Sequence, residues 1–260
     1  MHDSLVRARP VGRFGVLAGS GRWWPTPRHP WVMHMQWHDL LFAHWTVDPD
    51  VLRPHLPAGL ELDLWDGQAY VGVVPFGMKG VRGRGLPAVP STGEFLECNV
   101  RTYVTAEDKP GVFFFSLDAE SRLAVRAARW SFGLPYFDAE MAIDHRTDGA
   151  IDYSTRRTHK GAPAGEFKAT YGPSGDVFRA EAESLDFWLT ERYCLYSSRG
   201  GSTLRAEIDH QSWPLQRAVC EIQANTVAEG FGLHLKGPPL HLHFVRFLDV
   251  RAWLVERVQI

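Results

Sequence analysis

Residues 94–104, Glu-Phe-Leu-Glu-Cys-Asn-Val-Arg-Thr-Tyr-Val, alternate in character. In a β-strand successive side chains point to opposite faces. This stretch then puts Leu96, Cys98, Val100, Thr102 and Val104 on one side and Glu97, Asn99, Arg101 and Tyr103 on the other. The first side is a core face. The second is a row of charged and hydrogen-bonding groups that either meets solvent or lines the interior of a barrel or cleft. In the interior, a Glu and an Arg would be held for a ligand.

The same reading along the chain gives mostly strands with a few short helices. Asp39 to Val47 is apolar and aromatic, as a buried strand would be. Asp48 and Pro49 open a short helix as cap and first turn, and Pro57 ends it. Leu60 to Leu64, the turn Asp66-Gly67 and Gln68 to Met78 predict a hairpin. Residues 79–93, rich in Gly, Arg and Pro, predict a basic loop from which Arg82 or Arg84 would meet a ligand. The strand at 94–104, a turn from Glu107 to Gly111 and Val112 to Leu117 predict a second hairpin. Ser121 to Arg129, Ala-rich and opened by a Ser cap, predicts a helix. Strands follow through 140–182 with a turn at 172–175, then a short helical or turn element from Leu185 to Arg192. Further strands are expected at Tyr193 to Ser197, Leu204 to Asp209 and Leu215 to Asn225, with two short ones around Leu248-Asp249.

Composition changes this picture mainly at the N-terminus. Arg7, Arg9, Arg13, Arg22 and Arg28 stand against one acid, Asp3, among Pro10, Pro25, Pro27 and Pro30. Residues 1–30 are read as an Arg/Pro-rich arm, disordered or loosely docked, and 31–260 as a single domain. With 45% hydrophobic and 22% charged residues the chain fits the soluble globular class. A net charge of −2 argues against nucleic acid or a membrane surface as partner. No apolar run reaches the ~18 residues of a membrane span. Cys98, Cys194 and Cys220 are far apart, as small buried residues of a reducing compartment, so cytoplasm is the expected location.

Common catalytic spacings are absent: there is no GxSxG, P-loop, GxGxxG or HExxH, and no motif calls for a cofactor. Twelve histidines raise the question of a metal. His34 and His38 are four apart with His44 further on, and His241 and His243 share a strand face. No acidic third ligand accompanies either pair, so no metal site is assigned. Gly133 and Pro135 force a tight path between the Ala-rich helix and the next strand, which predicts Tyr136 at its tip.

Trp37 to Trp45, Leu52 to Pro57, Val74 to Met78, Phe95 to Val104, Phe114 to Ala119 and Ala128 to Tyr136 together resemble the YqjF-like bacterial family. Thr190 to Tyr193, Ala206 to His210 and Trp213-Pro-Leu add to the resemblance, which covers about residues 33–256. That family looks like a branch of the acetoacetate decarboxylase superfamily. The resemblance implies a mainly β (α+β) fold: a largely antiparallel, closed or cone-shaped β-barrel with a few flanking helices, and the superfamily's habit of homo-oligomers. Acetoacetate decarboxylases carry Pro-Lys-Lys where this chain has Pro135-Tyr136-Phe137, and their first lysine forms a Schiff base with the keto substrate. Neither Tyr136 nor Phe137 can form that imine, so imine-based decarboxylation is not expected.

The expected function is a pocket for a small anionic or carbonyl-bearing molecule. Arg101 would pair with a carboxylate or polarise an oxygen. Glu97 would orient Arg101 or act as acid/base with a pKa raised by burial. Asn99, Tyr103 and Tyr136 would supply hydrogen bonds, Trp130 an apolar wall and Arg82 a loop contact. With turnover this is lysine-independent lyase, isomerase or hydratase chemistry through Glu97 and Tyr136; without it, a ligand-sensing module. In a third, structural or interaction reading, Glu97 and Arg101 form a buried ion pair that fixes strand register.

Overall fold

The computed structural model describes residues 20–88, 93–120 and 133–259. The predicted helix from Ser121 to Arg129, and Trp130, lie outside them. The described strands are β1 (Met33–Val47), β2 (Glu61–Leu62), β3 (Ala69–Gly83), β4 (Phe95–Ala106), β5 (Lys109–Ala119), β6 (Tyr136–His145), β7 (Ile151–Arg157), β8 (Glu166–Phe178), β9 (Cys194–Arg199), β10 (Ser202–Asp209), β11 (Leu215–Asn225), β12 (His241–Ala252) and β13 (Glu256–Arg257). Helix α1 (Pro49–Leu52) is capped by the Asp48 side chain and runs into a 3-10 turn at Arg53–His55. Helix α2 (Leu185–Thr190) is capped by Ser184. No helix among the described residues is long and apolar enough to cross a membrane.

Pairing in the order β5-β6-β7-β8-β11-β12-β1-β3-β4 and back to β5 closes a ring of nine strands. A second closure leaves β5 through β9 and β10 and returns at β12. All pairings are antiparallel except those of β6 and β9 with β5. The predicted mainly β, largely antiparallel closed sheet is therefore the observed architecture.

The two closures enclose two different cores. One cluster joins Leu41, Ala43, Val71, Val73, Cys98 and Val100 to Tyr153, Phe167 and Tyr171 from β7 and β8. Strands on opposite sides of a ring can touch only across its interior, so this cluster fills the nine-stranded ring. The other joins Phe42, Val74, Phe76, Phe95 and Tyr103 to Trp188, Ile208, Trp213 and Val250. It occupies the far side of β1, β3, β4 and β12, beneath α2 and β10. β4, β3 from Ala69 to Met78 and β1 from Leu40 to Trp45 are thus buried on both faces, which is why these parts of β1 and β3 read as continuous apolar runs, whereas β12 exposes Arg246, Phe247, Asp249 and Arg251.

Several local expectations are corrected. The Asp66-Gly67 turn forms with both residues at positive φ (48° and 74°), but only the bridge Trp65↔Gln68 flanks it. β2 pairs with β4 (Glu61↔Thr105), because β3 peels away to follow β1 (Ala69↔Val47) and vacates that edge. Residues 172–175 make no turn between strands: Gly172 and Pro173 lie within β8, opposite Val219 and Ala218. Pro173 is tolerated there because β7 ends at Ile151↔Tyr171, leaving no ladder partner for its missing N–H. β12 is one strand, paired with β1 from Met33↔Ala252 to His44↔His241, and Leu248-Asp249 does not interrupt it. β3 continues to Gly83, so Arg82 belongs to a strand and not to a loop.

The arm is part of the domain from Ser20 onward. Arg22 has no exposed surface; its guanidinium pairs with the Glu207 carboxylate and donates to the carbonyls of Trp24, Pro25 and Ile208. Meeting its donors in this way offsets the cost of burying the guanidinium.

Candidate functional site

The alternation read from β4 persists in three dimensions. Cys98 and Val100 face the nine-stranded ring, whereas Phe95 and Tyr103 belong to the second core. Glu97, Asn99 and Arg101 share the Phe95–Tyr103 face and are 2%, 4% and 8% exposed. The polar face is interior, and the solvent-facing alternative falls away.

Tyr136 is the first residue of β6 and points inward, not outward from a loop tip. Its hydroxyl donates to Glu97 Oε2 at 2.8 Å. The Asn99 side chain also hydrogen-bonds Glu97. Burial pushes the Glu97 carboxyl up to about 7, against the pull of those two hydrogen bonds, and the nearby Asp118 charge adds to the rise. Burial and the Glu97 charge push the Tyr136 hydroxyl far above its usual range, so it stays protonated. A carboxyl near neutrality beside a fixed proton donor is an arrangement suited to acid/base work.

Arg101 sits one row further along. Its guanidinium lies over the Phe42 ring at 5.1 Å. Gly72 stands between Arg101 and His44 across three strands, and a Cβ there would come within 3.2 Å of the His44 ring and 3.6 Å of the Arg101 stem. Arg101 Nε and Asn99 Oδ1 have no hydrogen-bond partner among the described residues. No described ion pair joins Glu97 to Arg101, so neither the register-fixing pair nor the orientation of Arg101 by Glu97 holds. The two groups address the interior separately.

Tyr103 is fully buried and engaged: its hydroxyl donates to the Leu189 carbonyl (3.0 Å) and lies 2.6 Å from His44 Nε2. Burial first, and then Arg101, hold His44 well below the usual imidazole range, so this ring is neutral. Arg82 is half-buried opposite His34 and donates to the Gly80 carbonyl at 3.3 Å, with no described contact to Glu97 or Arg101. Trp130 lies outside the described residues.

Of the histidines weighed for a metal, His34 pairs with Asp249, His44 with Tyr103 and His243 with Asp186. No group of three metal-ligating side chains occurs among the described residues. Lys79, Lys160, Lys168 and Lys236 are exposed. Lys109, its pKa lowered by burial and then by Arg205, is held 2.6 Å from Glu207. Two open surface depressions of about 410 and 390 Å³, lined by Glu120, Asp138 and Glu140 and by Cys220, Ile222 and Leu235, touch none of Glu97, Asn99, Arg101 or Tyr136.

The site includes side chains that the sequence reading missed. Phe42, and His44 as a partner of Tyr103 and not as the metal ligand weighed from the sequence, are two apart on β1, follow the same alternation rule that singled out β4 and were within its reach. Trp213 lies in a connection without periodicity and arrives through tertiary packing alone: it stacks on Trp37 at 5.7 Å and meets Phe42 edge-on at 4.9 Å.

A family model described as "Uncharacterized conserved protein" matches residues 34–248. The Bacillus subtilis (strain 168) protein "Uncharacterized protein YqjF" is 45% identical over 223 residues, 86% of this chain and 91% of that one. Among solved structures, the chain is similar to the enduracididine biosynthesis enzyme MppR complexed with pyruvate (TM-score 0.60, 13% identity, 89% of this chain and 91% of that chain). It is also similar to an acetoacetate decarboxylase-like enzyme from Sphingomonas wittichii RW1 (TM-score 0.59, 15% identity, 89% and 94%). A third is acetoacetate decarboxylase from Legionella pneumophila (TM-score 0.58, 16% identity, 92% and 91%). At such identities the likeness is one of fold.

Proposed function

The chain belongs to the family of uncharacterised conserved proteins that includes Bacillus subtilis YqjF, and we propose that its second core holds a site for a small anionic, carbonyl-bearing molecule. The observation that carries this reading is the buried row on β4: Glu97, its pKa raised to about 7, under the Tyr136 hydroxyl, with Asn99 Oδ1 and Arg101 Nε unpartnered further along the same face. Buried polar atoms in a native fold nearly always find partners, and the unmet Arg101 Nε is a donor open to a ligand oxygen.

Arg101 takes the carboxylate, for which its forked donors are suited. Glu97, ionised in part at neutral pH, removes or returns a proton next to the carbonyl, and Tyr136, its single O–H turned from Glu97 Oε2 to the ligand, donates to the oxygen on which charge develops. The chemistry is that of a lysine-independent lyase or isomerase. Exposed lysines, and the engagement of Lys109 with Glu207, support a route without an imine. A neighbour in fold is complexed with pyruvate, which agrees with the ligand class.

A thermal-shift screen of wild type and Arg101→Met against small keto and hydroxy acids tests the binding. Stabilisation of the wild type alone is expected; equal stabilisation of both proteins would remove Arg101 from the site. For any acid that binds, deuterium exchange next to its carbonyl, followed by NMR, should depend on Glu97 and be lost in Glu97→Gln.

A further inference from the structure

Residues 20–31 cross the fold without joining its sheet. Pro25, Pro27 and Pro30 carry no N–H, so this stretch cannot extend a strand ladder. Among the described residues no backbone–backbone hydrogen bond ties it to the body; the first comes from Val32, to the Ala252 carbonyl. Side chains hold it instead. Arg22 pairs with Glu207 and donates to the Ile208 carbonyl at 2.9 Å, and the Trp24 indole donates to Glu207 at 3.0 Å. The Gly21 N–H donates to the Tyr193 hydroxyl at 2.8 Å, and the Trp253 indole to the His29 carbonyl at 2.8 Å.

Taking the stretch away would leave the body's buried groups met. Glu207 would keep Lys109, whose ammonium lies 2.6 Å from its other carboxylate oxygen. The Tyr193 hydroxyl would keep Glu191 as acceptor, and Glu191 would keep the Trp213 N–H at 3.0 Å. Breaking a buried ion pair is costly when it strands a charge. Here Arg22 would move into water and Glu207 would retain a cation. The seat is nonetheless close: Arg22 has no exposed surface, and a Cβ on Gly21 would lie 2.6 Å from Glu191 Oε2.

We infer that residues 20–31 are a strap that lifts as a unit while the sheet stays folded, with Arg22 on Glu207 as its latch. Local opening of this kind draws on segments with few backbone hydrogen bonds. The strap covers the second closure. Trp24 packs against a small cluster that holds Cys194 and Tyr196, and meets the Tyr193 ring edge-on at 6.3 Å. Tyr193 stacks on His210 at 4.5 Å, and His210 meets Trp213 at 4.9 Å, in the layer over the β4 row. Lifting the strap bares that layer from outside, whatever the row binds.

Cys194 reports the strap. It is fully buried, and burial pushes its thiol up to about 11, so the closed chain reacts slowly with iodoacetamide. Cys98, inside the nine-stranded ring, reports unfolding of the body. In the full chain carrying Cys220→Ala, labelling of each thiol is followed by mass spectrometry. Arg22→Met is expected to speed Cys194 labelling about tenfold or more with Cys98 still protected. Gly21→Ala, which wedges the seat without changing charge, gives the same reading should Arg22→Met fail to fold. Cys98 labelled in step with Cys194 would overturn the strap, because the segment would then open only with the whole fold. So would unchanged Cys194 labelling in both variants, or failure of both to fold.

Discussion

The Tyr136 hydroxyl lies 2.8 Å from Glu97 Oε2, joining strands β6 and β4 across the intervening β5. That bond lowers the Glu97 pKa against the opposing effect of burial. Tyr136→Phe should therefore raise the Glu97 titration further, seen as an upward move of the carboxyl carbon midpoint by NMR. An unchanged midpoint would mean that the bond does not form in solution.

Glu97 should also leave a mark on stability. Its carboxyl titrates at about 7 in the fold, against 4.5 as its ordinary value. Between these pH values the folded chain binds the extra proton, so this contribution is fully present below about 4.5 and is lost as pH rises through 7. The stability of wild type minus that of Glu97→Gln should fall by roughly 3 kcal/mol over the window. Urea midpoints at several pH values read this directly, and a flat difference would deny the buried, raised carboxyl.

The pair Arg157–Asp118 fixes the opposite face of the same sheet. Arg157 Nε lies 2.7 Å from Asp118 Oδ1, Nη2 donates to Asp118 Oδ2 and Ser116, and both side chains are at most 1% exposed. Arg157→Met strands a buried carboxylate and should cost about 3–5 kcal/mol. Adding Asp118→Asn should recover part of that loss in a double-mutant cycle; a fully additive second loss would show that the two do not interact.

Gly111 is where the second closure is tightest. A Cβ there would lie 2.3 Å from the Cys194 carbonyl oxygen, a backbone atom of β9 that cannot swing aside. Gly111→Ala should part β9 from β5 and cost at the upper end of about 1–3 kcal/mol. Hydrogen exchange should rise first in Leu195 and Tyr196, which pair with Val112 and Phe113. Wild-type protection there would show that the strands accommodate the methyl.

What the sequence by itself determined was local. A period of two on 94–104 set which residues of β4 share a face, because in a strand that follows from backbone geometry alone. The Glu107 and Asp108 turn between β4 and β5, and the Asp48 and Ser184 caps, follow from residue preferences in the same way. Only the tertiary structure decided that the polar face of β4 is interior, since a polar row looks alike whether it meets solvent or a second layer of protein. That layer is β9, β10, α2 and the Trp213 connection, all far along the chain from β4. The partner of Glu97 was equally hidden. Glu97 and Arg101 look paired in sequence by charge and spacing, yet the carboxyl is met by Tyr136, which β5 brings within reach through a parallel pairing that no local pattern encodes.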